Sequence, residues 1–349
     1  MTRPAANRDI LVIGASTGGL DALRILFNDL PPDLPASAFV VMHVGATSHL
    51  AAILDRVSTL PVVQAESGAP IERGRIYIAP PGKHLLVHDN HMLLRRGPRE
   101  NHARPAIDPL FRSAAATFGG RVIGVVLSGA LSDGTAGLRA IKRCNGLAVV
   151  QDPAEAASPN MPKSALQRVD VDHVVPVQAM GALLATLTRQ PASLTRAIPL
   201  DIRLEAAVAA QELADMKIDD MLGKPSRFTC PECHGVLWEI EDGDLLRYRC
   251  HVGHAYTADA VLTSQNDEVD RLLGTLLRAQ QERAGLARRM AEYERKSGRR
   301  ALGDQLARRA AEYDDDVQLL KALMRNGGLE AEVLTNAQQQ GASQHEQEA

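Results

Sequence analysis

The chain has 349 residues, 45% of them hydrophobic and 23% charged, with a formal net charge of −3. That length fits two or three domains better than one, and the charge balance offers no basic field for a nucleic-acid partner. No apolar run reaches the roughly 20 residues that a membrane span needs, so neither membrane insertion nor a secretory signal is expected, and the chain reads as cytoplasmic.

The first half alternates between strand and helix signals. Residues 10–13 are a short apolar run ending at Gly14, the pattern of a parallel strand buried on both faces. Residues 20–30 carry apolar positions at helical spacing and stop before Pro31-Pro32. A second strand is predicted at 39–42, a helix at 50–57, and a strand at 75–79 that ends in Pro80-Pro81-Gly82. Residues 85–95 read as a hairpin around Asp89-Asn90. Helices follow at 109–118 and 135–144, and strands at 122–127, 147–150 and 171–177, before a last helix at 180–188. The alternation predicts an α/β domain over residues 1–192, with a doubly wound, mostly parallel sheet.

Beyond it the composition changes. Residues 193–227 form an Ala-rich helical connector, and residues 228–262 hold three of the four cysteines. Residues 263–326 have no strand signal and predict an antiparallel helical hairpin that turns at Lys296-Ser297-Gly298. Its apolar positions include Leu272, Leu276, Leu286, Met290 and Tyr293 on one arm and Leu302, Leu306, Val317, Leu320 and Leu323 on the other. Residues 327–349 are Gln-rich and expected to be disordered.

Gly14-Ala15-Ser16-Thr17-Gly18 fits the nucleophile-elbow pattern G-x-S-x-G between a strand and a helix. A serine standing proud of a tight turn needs small neighbours, and the free N–H groups of the next helix favour a developing oxyanion. A glycine-rich turn that cradles a phosphate is the competing reading, and the motif alone leaves it open. His43 follows a predicted parallel strand, at the sheet edge where such folds build their sites. His84, His88, His91 and His102 lie in loop or hairpin sequence and read as surface residues. Asp133 follows the strand at 122–127 and would share the sheet edge with Ser16 and His43; the bland reading makes it a helix cap. Asp152, before Pro153, reads as a turn. The order Ser, His, Asp differs from the Ser, Asp, His order of the α/β-hydrolase fold.

Residues 9–190 resemble the catalytic domain of CheB-type chemotaxis protein-glutamate methylesterases. The resemblance rests on Ile13-Gly14-Ala15-Ser16-Thr17-Gly18-Gly19, Val41-Met42-His43, Ile76-Tyr77-Ile78-Ala79-Pro80, residues 102–108 (HARPAID), residues 110–115 (LFRSAA), Ser128-Gly129 with Asp133-Gly134, and Met161-Pro162-Lys163. It implies a hydrolase with a Ser16–His43–Asp133 triad, no catalytic cofactor, and Thr17, Gly18 and Ala130 shaping the oxyanion site. The implied substrates are γ-glutamyl methyl esters on methylated chemoreceptors, with deamidation of receptor glutamines as a second activity and chemosensory signalling proteins as partners. The family loop reads T-G-M-G-x-D-G, whereas this chain has Ala130-Leu131 in place of Met-Gly. Leu131 would be strained if that position needs a positive φ. Family members typically carry an N-terminal phospho-receiver domain. This chain starts at the esterase strand, so control by its own phosphorylation is not expected.

Cys230-Pro231-Glu232-Cys233 is followed after 16 residues by Cys250-His251-Val252-Gly253-His254. Two ligand pairs on separate turns can close a tetrahedron around Zn²⁺, and clustered cysteines in a reducing compartment favour metal over disulfides. His254 is the better fourth ligand, because His251 is adjacent to Cys250. Four protein ligands leave no open position, so the zinc is expected to be structural. The segment resembles cysteine/histidine modules attached to stand-alone CheB-like proteins. Two other readings remain at this point: a catalytically weak signalling adaptor working through residues 200–326, and a nucleotide-binding regulator using the glycine turn.

Overall fold

A computed structural model describes residues 6–45, 47–194, 197–210 and 221–325. It divides into two compact units, Met1–Val261 and Leu262–Ala349. The expected tail at 327–349 and the middle of the expected connector, 211–220, lie outside the described residues.

The first unit is built on a seven-stranded sheet in which every pairing is parallel. In chain order its elements are β1 (Ile10–Ala15), α1 (Gly19–Asp29), β2 (Ser37–Met42), α2 (Leu50–Asp55), β3 (Val62–Gln64), β4 (Ile76–Ile78), β5 (His84–His88), β6 (His91–Arg95), α3 (Ile107–Phe118), β7 (Val122–Val126), α4 (Thr135–Arg143), β8 (Leu147–Gln151), α5 (Asn160–Arg168), β9 (His173–Val175), α6 (Val177–Leu187) and α7 (Leu200–Ala209). The sheet order is β3-β4-β2-β1-β7-β8-β9. Along β1 the side chains alternate between two cores. Ile10 and Val12 join the layer containing α3, α4 and α5, while Leu11 and Ile13 join the layer containing α1 and α6. Both faces are covered, which explains why β1 is apolar at consecutive positions.

The chain runs from β1 to β2 and β4 on one side and then returns to β7, β8 and β9 on the other. The order therefore reverses between β1 and β7, and a crevice opens there at the carboxyl ends of the strands. Two elements escape the periodicity argument. β3 is only three residues long. α5 contains Pro162, which reads as a breaker but sits in the first turn, where a missing N–H is harmless. β5 and β6 pair antiparallel around Asp89 (φ 43°) and Asn90 (φ 64°), the two left-handed residues of a tight hairpin turn.

A second, antiparallel sheet follows: β10 (Lys224–Thr229), β11 (Val236–Asp242), β12 (Leu245–Cys250) and β13 (Ala255–Thr257), in sequential order. It starts four residues ahead of the expected module boundary at 228 and belongs to the same compact unit as the parallel sheet. Helices α8 (Ala258–Lys296) and α9 (Arg300–Arg325) turn at Gly298, whose φ is 82°. Ala284, Ala287, Ala291, Gly303, Ala310, Val317 and Leu320 are buried in this hairpin. Leu272, Leu276, Leu286, Met290, Tyr293, Leu302 and Leu323, read from sequence as its apolar face, are exposed. Among the described residues no helix is long and apolar enough to cross a membrane.

Candidate active site

Three strand ends meet at the crevice. Ser16 follows β1, His43 follows β2, and Asp133 lies in the loop after β7. His43 Nδ1 lies 3.1 Å from Ser16 Oγ, and His43 Nε2 lies 2.8 Å from Asp133 Oδ2. An ionised carboxylate only accepts hydrogen bonds, so Nε2 carries the ring proton and donates to Asp133. Nδ1 then presents its lone pair to the Ser16 hydroxyl. The imidazole is partly open to solvent, at 22% exposure, while Asp133 is almost sealed at 2%.

The elbow is narrow for visible reasons. Gly18 has a φ of 73°, and a Cβ there would come within 2.6 Å of the Ala157 methyl and 2.8 Å of Ser128 Oγ. Gly129 faces Ser16 across the crevice, and a Cβ on it would lie 2.0 Å from Met161 Sδ. Ser16 N–H donates to the Ser128 carbonyl at 2.9 Å, which stitches the elbow to the β7 loop. Among the described residues, no acceptor takes the N–H of Thr17, Gly18 or Ala130, and these three half-open or exposed residues surround the serine.

Asp133 is held from several sides. Its Oδ2 accepts from Ile107 N at 2.7 Å. Its Oδ1 accepts from Asp108 N at 3.2 Å, Gly134 N at 2.9 Å and Asn101 Nδ2 at 3.0 Å. Two of these donors open α3, so the carboxylate sits at a helix N-terminus, where negative charge is favoured. Burial pushes the Asp133 pKa up, but the His43 bond, the His43 charge and these donors outweigh it and hold the carboxyl below its ordinary value. Asp108 goes the other way. Burial, then the charge of Asp133, push its pKa up to about 8. Asn101 donates to both carboxyls, at 3.0 Å in each case.

Other histidines settle differently. His84 was expected at the surface but is 2% exposed. Its Nε2 donates to the Pro98 carbonyl at 2.8 Å and its Nδ1 accepts from Ala106 N at 3.2 Å; burial lowers its pKa. It packs the loop before α3 and is not on the triad. His88 and His91 are exposed, as read. Asp152 forms a turn by accepting from Ala154 N at 2.9 Å. A cleft of about 380 Å³ opens beside His43, with Arg99, His102 and Arg104 on its walls. Sequence reasoning missed Asn101, Asp108 and Arg112. The visible signal was Asp108 and Arg112 on one otherwise apolar helix, since a charge buried on such a helix needs a partner.

The Cys/His array also converges. Ligand atoms of Cys230, Cys233, Cys250 and His254 all lie within 4.8 Å of one another, and the cysteines are not in disulfides. His251 is exposed and outside the group.

Residues 11–184 match the CheB methylesterase family. The chain is 38% identical over 184 residues to a Leptospira interrogans protein, provisionally named a protein-glutamate methylesterase/protein-glutamine glutaminase, covering 52% of this chain and 95% of that one. It is 42% identical over 187 residues to protein-glutamate methylesterase/protein-glutamine glutaminase 2 of Anaeromyxobacter dehalogenans, covering 53% of this chain and 55% of the relative. The crystal structure of the Thermotoga maritima CheB methylesterase catalytic domain superposes with a TM-score of 0.50 at 33% identity, covering 53% of this chain and 100% of that one.

Proposed function

Because the chain belongs to the CheB methylesterase family, a family of hydrolases, we propose that it cleaves γ-glutamyl methyl esters on the cytoplasmic parts of chemoreceptors. Methanol would leave the ester. The same site would deamidate receptor glutamines, with ammonia leaving. The observation that carries this reading is the hydrogen-bonded row Ser16–His43–Asp133 at the edge where the sheet order reverses.

In this mechanism Ser16 Oγ attacks the ester carbonyl while His43 Nδ1 takes the hydroxyl proton. The imidazolium that forms is stabilised across Nε2–H by Asp133, which burial shields from water and five hydrogen bonds keep ionised. The tetrahedral oxyanion is met by the N–H groups of Thr17 and Gly18 at the start of α1 and of Ala130 across the crevice. His43 then returns its proton to the departing methoxide. Water, activated by the same imidazole, releases the glutamate and restores Ser16. No step needs a cofactor.

The adaptor reading drew on Ala130-Leu131. Leu131 adopts φ 61°, so the loop keeps the backbone turn that a glycine would give, and only the N–H of residue 130 is asked to act. The hydrolase reading therefore stands ahead of it. The test is methanol release from a methylated receptor fragment by the protein and by Ser16→Ala. Release is expected to fall by about 10³-fold or more in the variant; equal release would overturn the assignment.

A further inference from the structure

We propose that Cys230, Cys233, Cys250 and His254 bind one zinc ion, and that the sheet closed by this ion is a positioning element for the proposed triad. The metal part stands by itself. The positioning part rests on the Ser16–His43–Asp133 reading.

The donor set fits zinc. Bond lengths of about 2.3 Å to sulfur and about 2.0–2.1 Å to nitrogen give tetrahedral edges of about 3.8 Å between sulfurs and about 3.5 Å from sulfur to nitrogen. The structure has 3.6 Å from Cys233 Sγ to Cys250 Sγ, and 3.7 Å and 3.4 Å from His254 Nδ1 to Cys230 Sγ and Cys250 Sγ. Soft thiolates with one imidazole suit zinc better than the hard cations. Four protein ligands close the shell, so the ion would hold structure and do no bond chemistry. Within the sheet such a clamp has work to do. The sheet's own apolar core is small, Leu237, Tyr248, Tyr256, Ala260 and Val261 around Cys230 and Cys250, so burial within the sheet does little to order its loops.

β13 begins immediately after His254 and runs straight to the triad's support. Asn101 N–H donates to the Ala255 carbonyl at 2.8 Å, and Thr257 N–H donates to Asn101 Oδ1 at 3.1 Å. These two bonds fix an asparagine whose backbone is left-handed, with φ 48°. The fixed amide then donates to Asp133 Oδ1 at 3.0 Å. A second tie joins Thr257 Oγ1 to Ser132 Oγ at 2.7 Å, beside Asp133 in sequence. The path from metal to carboxylate is therefore His254, β13, Asn101, Asp133. Loss of the ion frees β13, lets the Asn101 amide turn, and loosens the aspartate that aims His43.

The test uses the full chain. Metal analysis is expected to find about one zinc per chain. A chelator should remove it and shift the fluorescence of Trp238, the only tryptophan, which lies in β11. Ser16 labelling by a fluorophosphonate should then slow about tenfold in its limiting rate constant, with the final labelled fraction unchanged, and added zinc should restore both signals. Asn101→Gly keeps the left-handed backbone and the metal ligands but lacks the amide. It should retain zinc and the Trp238 emission and still label about tenfold slower, with unchanged reagent affinity. Absence of bound zinc would overturn the proposal. An unchanged rate constant after metal removal or in Asn101→Gly would overturn the positioning role. A fall confined to the labelled fraction would mean that the ion only keeps the chain folded, and would overturn the positioning role. No labelling of the zinc-loaded protein would instead overturn the triad reading and, with it, the positioning role.

Discussion

Leu131 pays a backbone cost with little return. Its φ of 61° is left-handed, which disfavours an L-residue by about 1–2 kcal/mol, and the residue is 37% exposed. Glycine would remove the strain but adds disorder to the unfolded chain, so Leu131→Gly is expected to gain a net of about 0.5–1 kcal/mol. A denaturant midpoint that falls would show that the leucine side chain is holding the loop. Asp108 gives a pH signature. Its folded pKa is raised to about 8 from an ordinary 3.8. Between these values the native state binds more protons than the unfolded chain, so stability falls as pH rises through the window. Asp108→Asn cannot ionise. Measured relative to the parent, its stability should climb from pH 4 to pH 8 by about 1 kcal/mol or more, and a flat difference would contradict the assignment. The sequence exposes Ser16 and His43 because each directly follows an apolar strand run, and Asp133 because it lies in the loop that such a run leads into. It hides Asn101 and Asp108 because they precede Asp133 in an aperiodic loop and a helix start, and no spacing rule says that the loop folds back onto the β7 edge.

Elements were legible where one pattern dominated and obscure where two competed. The central strands are apolar throughout because helices cover both faces, and that signal survives in the sequence. The α8–α9 hairpin misleads because most of its buried positions, among them Ala284, Ala287, Ala291, Gly303 and Ala310, are small residues that let two helices approach, while most of the larger leucines face outward. Reading by hydrophobic size finds Val317 and Leu320, which are buried, but otherwise picks mostly exposed positions. The ionic part of the join between α3, α7 and β12 was also invisible. Glu205 accepts from Arg247 at 2.6 Å and 3.0 Å and has Arg112 Nε at 3.5 Å and Arg249 Nη1 at 3.6 Å; all four side chains are at most 7% exposed. Burial would raise the Glu205 pKa, but the three guanidiniums outweigh it and hold the carboxyl far below its usual range. Its contribution is thus fully present above the ordinary glutamate pKa and is lost only at strongly acid pH. Glu205→Gln leaves three buried cations facing one neutral amide, and a loss of about 3–5 kcal/mol at pH 7 is expected from chemical denaturation. A loss below about 1 kcal/mol would mean that water or a rearranged Glu100 takes over the pairing.

At the scale of the chain, a family match and a folding unit need not have the same ends. The match to the CheB methylesterase family stops at residue 184, and 184 aligned residues cover 95% of the Leptospira relative, so this fold can be complete near that length. In the present protein the compact unit runs on to Val261. The reason lies in what the extension neutralises and holds. Arg112 is buried on α3 and faces Glu205 from α7 as well as Glu100; Asn101 is clasped by Ala255 and Thr257 of β13. A chain cut after residue 192 keeps every triad residue and every strand of the parallel sheet. It nevertheless strips Arg112 of one of its two carboxylates and Asn101 of both backbone partners. Such a fragment should unfold at lower denaturant and label Ser16 at least about tenfold more slowly than the full chain. A fragment ending at residue 261 keeps all of these partners and should label at the full-length rate. Equal labelling by both fragments would show that the esterase domain is self-sufficient and that the extension is cargo. Slow labelling by both would place a requirement for activity beyond residue 261.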